Sequence, residues 1–402
     1  MTVALLSKWG SQPAGTLFTS DAATEAAMIA NKQATATLTG AVVWDAPAGI
    51  DATKNRFKKD LKNTIAKVLS GSGRATWLFM GDSTTAGPTR PVSHPVVLAK
   101  ILKSMGVNTQ TGMMWGSAYY GSLASFIAWD ARLTAGAGWG QNGSMTLAGK
   151  FYQNTTDLTA FTFTPTEAFN QIEIWYYQNT GNATFTVDVG GDALQTVNSS
   201  GSMAVVKVTV PTGAGAAVQS VNIKRTGVGA GCYILGINTY DSAVPAIEMH
   251  QGGWATSQTS DWIIDSSPFS PLKMIALINP ELTFINLGVN DSNGGTPIET
   301  YVSRYQTIIN KLKAAGSDII LCGFVQSDPS AFASLSVFND YQIAVKSLAE
   351  KNNLLFISFS EVIGLYAEAN ASGYMVDQRH PSNKGCAAIA QAKADLISDI
   401  RK

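Results

Sequence analysis

Ser83, Asn290, Asp377 and His380 could together perform covalent chemistry without a cofactor. They stand in Gly81-Asp82-Ser83-Thr84, Gly288-Val289-Asn290-Asp291 and Asp377-Gln378-Arg379-His380-Pro381. A serine hydroxyl is a poor nucleophile until a neighbouring base takes its proton. The chain has three histidines, so the candidates for that base can be enumerated. His380 follows Asp377 by three residues, close enough for the carboxylate to orient the ring if the loop bends. His94 opens a helix and reads as structural. His250 ends a strand just before Gly252-Gly253 and reads as pocket lining, with Trp254 beside it, or as structural. Attack on an acyl carbon generates an oxyanion that needs fixed donors. The backbone N–H of Ser83, the amide of Asn290 and a glycine N–H are the natural set. Without a Cβ, glycine lets substrate approach the backbone closely, and Gly253 is preferred over Gly252.

These residues need a scaffold that brings distant segments to one edge. Ala75 to Met80 is a short apolar run, Ser83 follows it, and Pro95 to Met105 reads as a helix. From Ala246 onward strands and helices alternate: 246–249, 282–287, 318–324 and 354–359 as strands, 297–315, 332–351 and 382–400 as helices. That alternation implies parallel βαβ units, about five strands in all. In such sheets reactive residues collect at the carboxyl ends of the strands, where Ser83 and Asn290 both fall.

Between Thr111 and Ala243 helical periodicity disappears. Short β-type runs such as 161–164, 172–177, 184–189, 203–210 and 221–224 are separated by Gly, Asn and Pro turns, predicting an all-β insert, a sandwich or jelly roll. The expected division is 1–72 as an N-terminal docking segment and helix, 73–112 with 246–402 as the α/β domain, and 113–245 as the insert. Within the first part, 21–33 looks helical. So does 51–70, with Asp51 as N-cap and Gly71 just past the C-cap.

Composition narrows the class further. The 402 residues are 45% hydrophobic and 14% charged, with 28 basic and 28 acidic side chains. A net charge of zero gives no global field for nucleic acid or an anionic membrane. The three separated cysteines suggest neither a disulfide framework nor a zinc site. No apolar stretch reaches spanning length, and the first fifteen residues lack the basic start of a signal peptide. Asp82 and Asp291 have no accompanying ligand cluster, so neither metal nor cofactor is expected.

In its motifs the chain resembles the SGNH, or GDSL-type, serine hydrolases: Gly81-Asp82-Ser83, Gly288-x-Asn290-Asp291 and Asp377-x-x-His380 fall in family order, and Gly253 loosely matches the glycine block. The resemblance covers about 75–110 and 246–402. It implies a flavodoxin-like three-layer α/β/α domain, a Ser83/His380/Asp377 triad, and an oxyanion hole from Ser83, Gly253 and Asn290. It also implies hydrolysis of carboxylic esters. Aromatic residues in and before the insert (Trp115, Tyr119, Tyr120, Trp129, Trp139, Trp175, Tyr176, Tyr177) point to a sugar-binding face, unless they are core, and hence to O-deacetylation of a cell-surface polysaccharide. A non-catalytic glycan-binding or tail-structural module and a lipase or thioesterase are the alternatives. The stretch 13–30 is similar to segments of bacteriophage tail proteins. That similarity implies virion partners, a trimeric homo-oligomer, and an extracellular or virion location reached without a signal peptide, with a cytoplasmic location as the alternative.

Overall fold

A computed structural model describes residues 2–5, 17–19, 34–36, 63–86, 93–117, 122–143, 146–156 and 158–401. The chain divides into two units, Met1–Asn55 and Arg56–Lys402. In the first, Thr2–Leu5 pairs antiparallel with both Leu17–Thr19 and Ala34–Ala36. The helix expected over 21–33 lies outside the described residues.

The second unit begins earlier than residue 73. A helix over 63–69 buries Ile65 and Val68 in the same core as Trp77, so it packs with the α/β domain. Gly71 takes φ +74° just past its end, as expected of the residue after the C-cap. Residues 51–62 of the expected helix lie outside the described residues.

The α/β domain is built on β1 (Ala75–Gly81), α1 (His94–Ser104), β2 (Thr109–Gln110), β3 (Ile247–Gly253), β4 (Leu282–Asn286), α2 (Ile298–Ala314), β5 (Asp318–Gly323), α3 (Leu335–Asn352), β6 (Leu355–Ser358) and α4 (Asn383–Arg401). The six strands are parallel and run in the order β2-β3-β1-β4-β5-β6. Five are those expected. The sixth, β2, is a two-residue edge against Ile247 and Glu248, too short to leave a sequence signal. β3 is longer than the predicted 246–249 and carries His250, Gly252 and Gly253 within it.

Side-chain alternation divides the sheet into two buried faces. Trp77 and Phe79 face the core formed with α1 and α4, which also takes Leu98, Leu102 and Ile389. Leu78 and Met80 face the core formed with α2 and α3, which takes Tyr301, Tyr305 and Val345. Helices on both faces of a parallel sheet give the expected three layers.

The insert follows β2 and returns at β3. Its strands form one six-stranded and one five-stranded sheet, each held by antiparallel pairings. Phe161, Phe185 and Ile223 from the smaller sheet share a core with Ile172, Ile174 and Ile234 from the larger. In the strand Gln171–Gln178, Ile172, Ile174 and Tyr176 face that shared core. Trp175 and Tyr177 point the other way, into the core of the α/β domain. The larger sheet is therefore buried on both faces, and its aromatic residues are packing material.

Candidate active site

The Ser83 turn is built by close contacts. β1 ends at Gly81, where a Cβ would lie 2.2 Å from the Thr85 hydroxyl. Asp82 then turns the chain into the short helix Ser83–Ala86, its Oδ1 accepting the Thr84 backbone N–H and hydroxyl, each at 2.8 Å. Burial pushes the Asp82 carboxyl up to about 7, although both hydrogen bonds from Thr84 pull it down. From the end of β4, Asn286 donates to the hydroxyls of Thr84 at 2.8 Å and Thr85 at 3.0 Å. Asn286 was missed by the sequence argument. Its one available signal is an amide inside the expected strand 282–287.

Ser83, His380 and Asp377 meet across 297 residues of sequence. Ser83 Oγ lies 2.9 Å from His380 Nε2, and His380 Nδ1 lies 2.8 Å from Asp377 Oδ2. The loop carrying the pair is tight: Val376 N–H donates to the His380 carbonyl, and Met375 bridges Pro381. Asp377 Oδ1 accepts the backbone N–H groups of Arg379 and His380, each at 2.8 Å. Burial works to raise the Asp377 carboxyl, but the hydrogen bond from His380 and these two amides outweigh it and hold it below the ordinary value. An ionised carboxylate on Nδ1 fixes the ring tautomer and leaves Nε2 free to accept the Ser83 proton.

Asn290 and Gly253 arrive from the strands on either side. Gly253 pairs with Gly81 across β3 and β1, while β4 pairs with the other edge of β1 at Asn286 and Gly81. After β4 the chain turns at Gly288, at φ +136°, where a Cβ would lie 2.4 Å from the Phe324 ring. Only glycine fits, and the short helix Val289–Asn293 follows. One N–H of the Asn290 amide is held by the Ser257 carbonyl at 2.9 Å. Asp291 accepts the Thr259 N–H at 2.9 Å and its hydroxyl at 2.6 Å, so this carboxyl ties the 257–259 loop to the Asn290 helix. Gln258, whose amide donates to the Asn290 carbonyl at 3.1 Å, and Thr259 were, like Asn286, not singled out in the sequence.

The choice between the two glycines can be put in steric terms. A Cβ on Gly253 would lie 2.4 Å from the Ala86 nitrogen, whereas on Gly252 the nearest atom is 3.2 Å away on Leu147. The Ser83 helix thus presses on Gly253. Trp254 N–H is taken by the Gly81 carbonyl.

The remaining sequence candidates go elsewhere. His250 is 2% exposed, its ring set among Trp115 and Trp175, with Nε2 3.7 Å from the Glu248 carboxylate. It is enclosed between the domain and the insert and does not line an open pocket. Trp254 is half-buried against Trp262. His94 is buried and accepts a hydrogen bond from Lys393 at 3.0 Å. Beside Ala86 and Gly253 lies a cavity of about 40 Å³, walled by Trp115, Phe126, Trp129 and Arg132 of the insert. Trp115 and Trp129 are thus the two proposed sugar-facing aromatics that reach it. Trp139, Trp175 and Tyr176 are buried in cores, Tyr177 is half-buried against Phe269, and Tyr119 and Tyr120 lie outside the described residues. The physical reason is that a sheet covered on both sides needs large apolar side chains on both.

Among the described residues, no group of three or more His, Cys, Asp or Glu side chains is arranged to hold a metal ion, and no helix is long and apolar enough to cross a membrane.

No curated protein matches the chain. Several solved structures are similar. One is the YXIM protein of Bacillus subtilis, at 14% identity and TM-score 0.35, covering 80% of this chain and 97% of that one. An acetyl xylan esterase is similar at 21% identity and TM-score 0.31, covering 38% and 80%. A GDSL-like lipase from Bacteroides thetaiotaomicron is similar at 15% identity and TM-score 0.31, covering 38% and 76%. Residues 237–388, which carry Gly253, Asn290, Asp377 and His380 but not Ser83, match the model of the GDSL-like Lipase/Acylhydrolase family.

Proposed function

We propose that the chain is a serine esterase that removes acetyl groups from a cell-surface polysaccharide. The observation that carries the reading is the unbroken relay from Ser83 Oγ to His380 to Asp377, with spacings of 2.9 and 2.8 Å. His380 Nε2 takes the Ser83 proton as Oγ attacks the acyl carbon. Charge developing on the carbonyl oxygen is met by the Ser83 N–H, the Gly253 N–H and the second N–H of Asn290. The first of these belongs to a helix's first turn, which leaves its amides unpaired within the helix. Collapse of the tetrahedral intermediate expels the sugar hydroxyl, which leaves with the proton from His380. Water, activated by the same ring, then frees acetate and restores Ser83.

The small cavity beside Gly253 favours a short acyl group over the long chain of a lipase or thioesterase substrate. By the usual measure, about 40 Å³ holds two or three water-sized groups. The polysaccharide assignment is supported by Trp129, half-buried at the end of the helix Leu123–Trp129, which brings an aromatic ring from the insert to the wall of that cavity. A virion or extracellular setting and a trimeric assembly complete the proposal. Light scattering of the purified chain tests the assembly.

Acetate release from nitrophenyl acetate and from an O-acetylated polysaccharide tests the reaction. Ser83→Ala should abolish both, and full activity in that variant would overturn the reading.

A further inference from the structure

Arg379 is the residue immediately before the catalytic histidine, and its side chain is half-buried. Its guanidinium lies over the Phe332 ring, 4.0 Å from the centroid. That contact fixes a side chain that would otherwise sweep through solvent. Among the described residues no carboxylate forms an ion pair with it, and its backbone N–H donates to Asp377 Oδ1. Two acids of the adjoining loops, Asp377 and Asp328, are already engaged. Asp377 is held by His380 and two backbone amides. Asp328 accepts the Ser330 N–H and hydroxyl on one oxygen and the Gln378 amide on the other.

The mounting of this group is also fixed on the far side. Asp328 N–H donates to the Gln378 carbonyl at 2.8 Å. Asn293, at the end of the Asn290 helix, donates to the Ser327 hydroxyl and accepts the Ala333 N–H. The loop over 327–333, which carries Phe332, therefore braces the 377–380 loop against the Asn290 helix. Arg379 adjoins His380 in the chain, and its backbone N–H shares Asp377 Oδ1 with that of His380, so its side chain departs from the edge of the triad.

We infer that Arg379, propped on Phe332 beside the triad without an acidic partner, is a specificity residue that receives the carboxylate of an acidic sugar whose neighbouring hydroxyl carries the ester. A planar guanidinium pairs with a carboxylate through two parallel N–H···O bonds, which orient the sugar ring as well as attract it. The substrate class is then an O-acetylated glycan containing uronic or sialic acid units, not a neutral one. This inference rests on the esterase reading above.

The test compares acetate release from O-acetylated polygalacturonic acid and from the same polymer with its carboxylates methyl-esterified. In the wild type kcat/KM should be about ten-fold higher on the free acid at low salt, the size expected of a charged hydrogen bond weakened by partial exposure. The preference should shrink as salt is added. In Arg379→Gln the ratio should fall to about one, and Arg379→Lys, which keeps the charge and loses the fork, should lie between. A wild-type ratio near one, or a ratio preserved in Arg379→Gln, overturns the assignment. So does loss of nitrophenyl acetate hydrolysis in both variants, because the side chain would then serve the His380 loop and not the substrate. If the wild type releases no acetate from nitrophenyl acetate or either polymer, the esterase reading itself fails.

Discussion

The α/β domain and the β insert are both rich in aromatic residues, yet they use their polar groups in opposite ways. In the α/β domain, buried polar side chains gather at the carboxyl end of the sheet, where Asp82 and Asn286 are joined through Thr84, and Asn290 and Asp291 hold the 257–259 loop. In the insert, the strands alternate apolar side chains onto two cores, and Trp175 is spent on joining insert to domain. A polar residue at the end of a buried strand therefore carries more functional information than an aromatic residue in a sheet. The first must be hydrogen-bonded at a particular place, whereas the second is satisfied by any close packing.

His380→Ala should lower kcat/KM by about 10^4-fold or more, since the members of such a relay act as a unit. Far-UV circular dichroism should be unchanged, because the ring belongs to the 377–380 loop and not to a helix or strand. A matching loss from any aromatic of the insert would contradict the division of labour. Trp175→Ala should instead cost about 3–5 kcal/mol in urea unfolding, as for other buried tryptophans. If it lowered affinity for an acetylated glycan with no loss of stability, the sugar-facing reading of that residue would return. Asn290→Ala should lower kcat by about a hundred- to a thousand-fold with little change in KM, as for a donor that acts in the transition state.

The same distinction explains what could be read from the sequence. Five parallel strands were legible because each is an apolar run between helix-length segments, and Ser83, Asp377 and His380 because few residue types can do their work. β2 was not, since a two-residue edge has no periodicity. The insert strands over 139–143, 149–154, 192–198 and 232–240 were not predicted either. The first two and the last are rich in Gly, Asn and Gln or break their alternation, so their pairing is decided by neighbours far along the chain. Asn286 and Thr259 were invisible for another reason: their partners, Thr84 and Asp291, lie 202 and 32 residues away. His250 shows the converse case. The sequence left it as pocket lining or structural, and the insert, folding back with Trp115 and Trp175, encloses it within β3.

Not every buried polar group in the α/β domain serves the edge, and Lys393 sharpens the contrast. It lies in α4, fully buried, with its ammonium 4.8 Å from the Phe284 ring centroid, 5.0 Å from that of Phe359 and 3.0 Å from His94 Nδ1. Burial lowers it from 10.5 to about 8, with the Cys322 and Cys386 thiols opposing the shift. Burial first, and then the neighbouring lysine, also lower His94, so the ring stays the neutral acceptor. Between pH 8 and 10.5 the unfolded chain holds the lysine proton more tightly than the folded one, so wild-type stability rises with pH across that window. Below pH 8 the full penalty is present, on the order of 3 kcal/mol. Lys393→Met fits an unbranched apolar chain into the same ring-lined space and removes the titration, at the expense of leaving His94 Nδ1 without its donor. The variant should therefore gain most relative to the wild type at pH 7 and lose that advantage toward pH 10, as read from urea midpoints across the range. A difference independent of pH would mean that Lys393 is not the buried, titrating group that this packing requires.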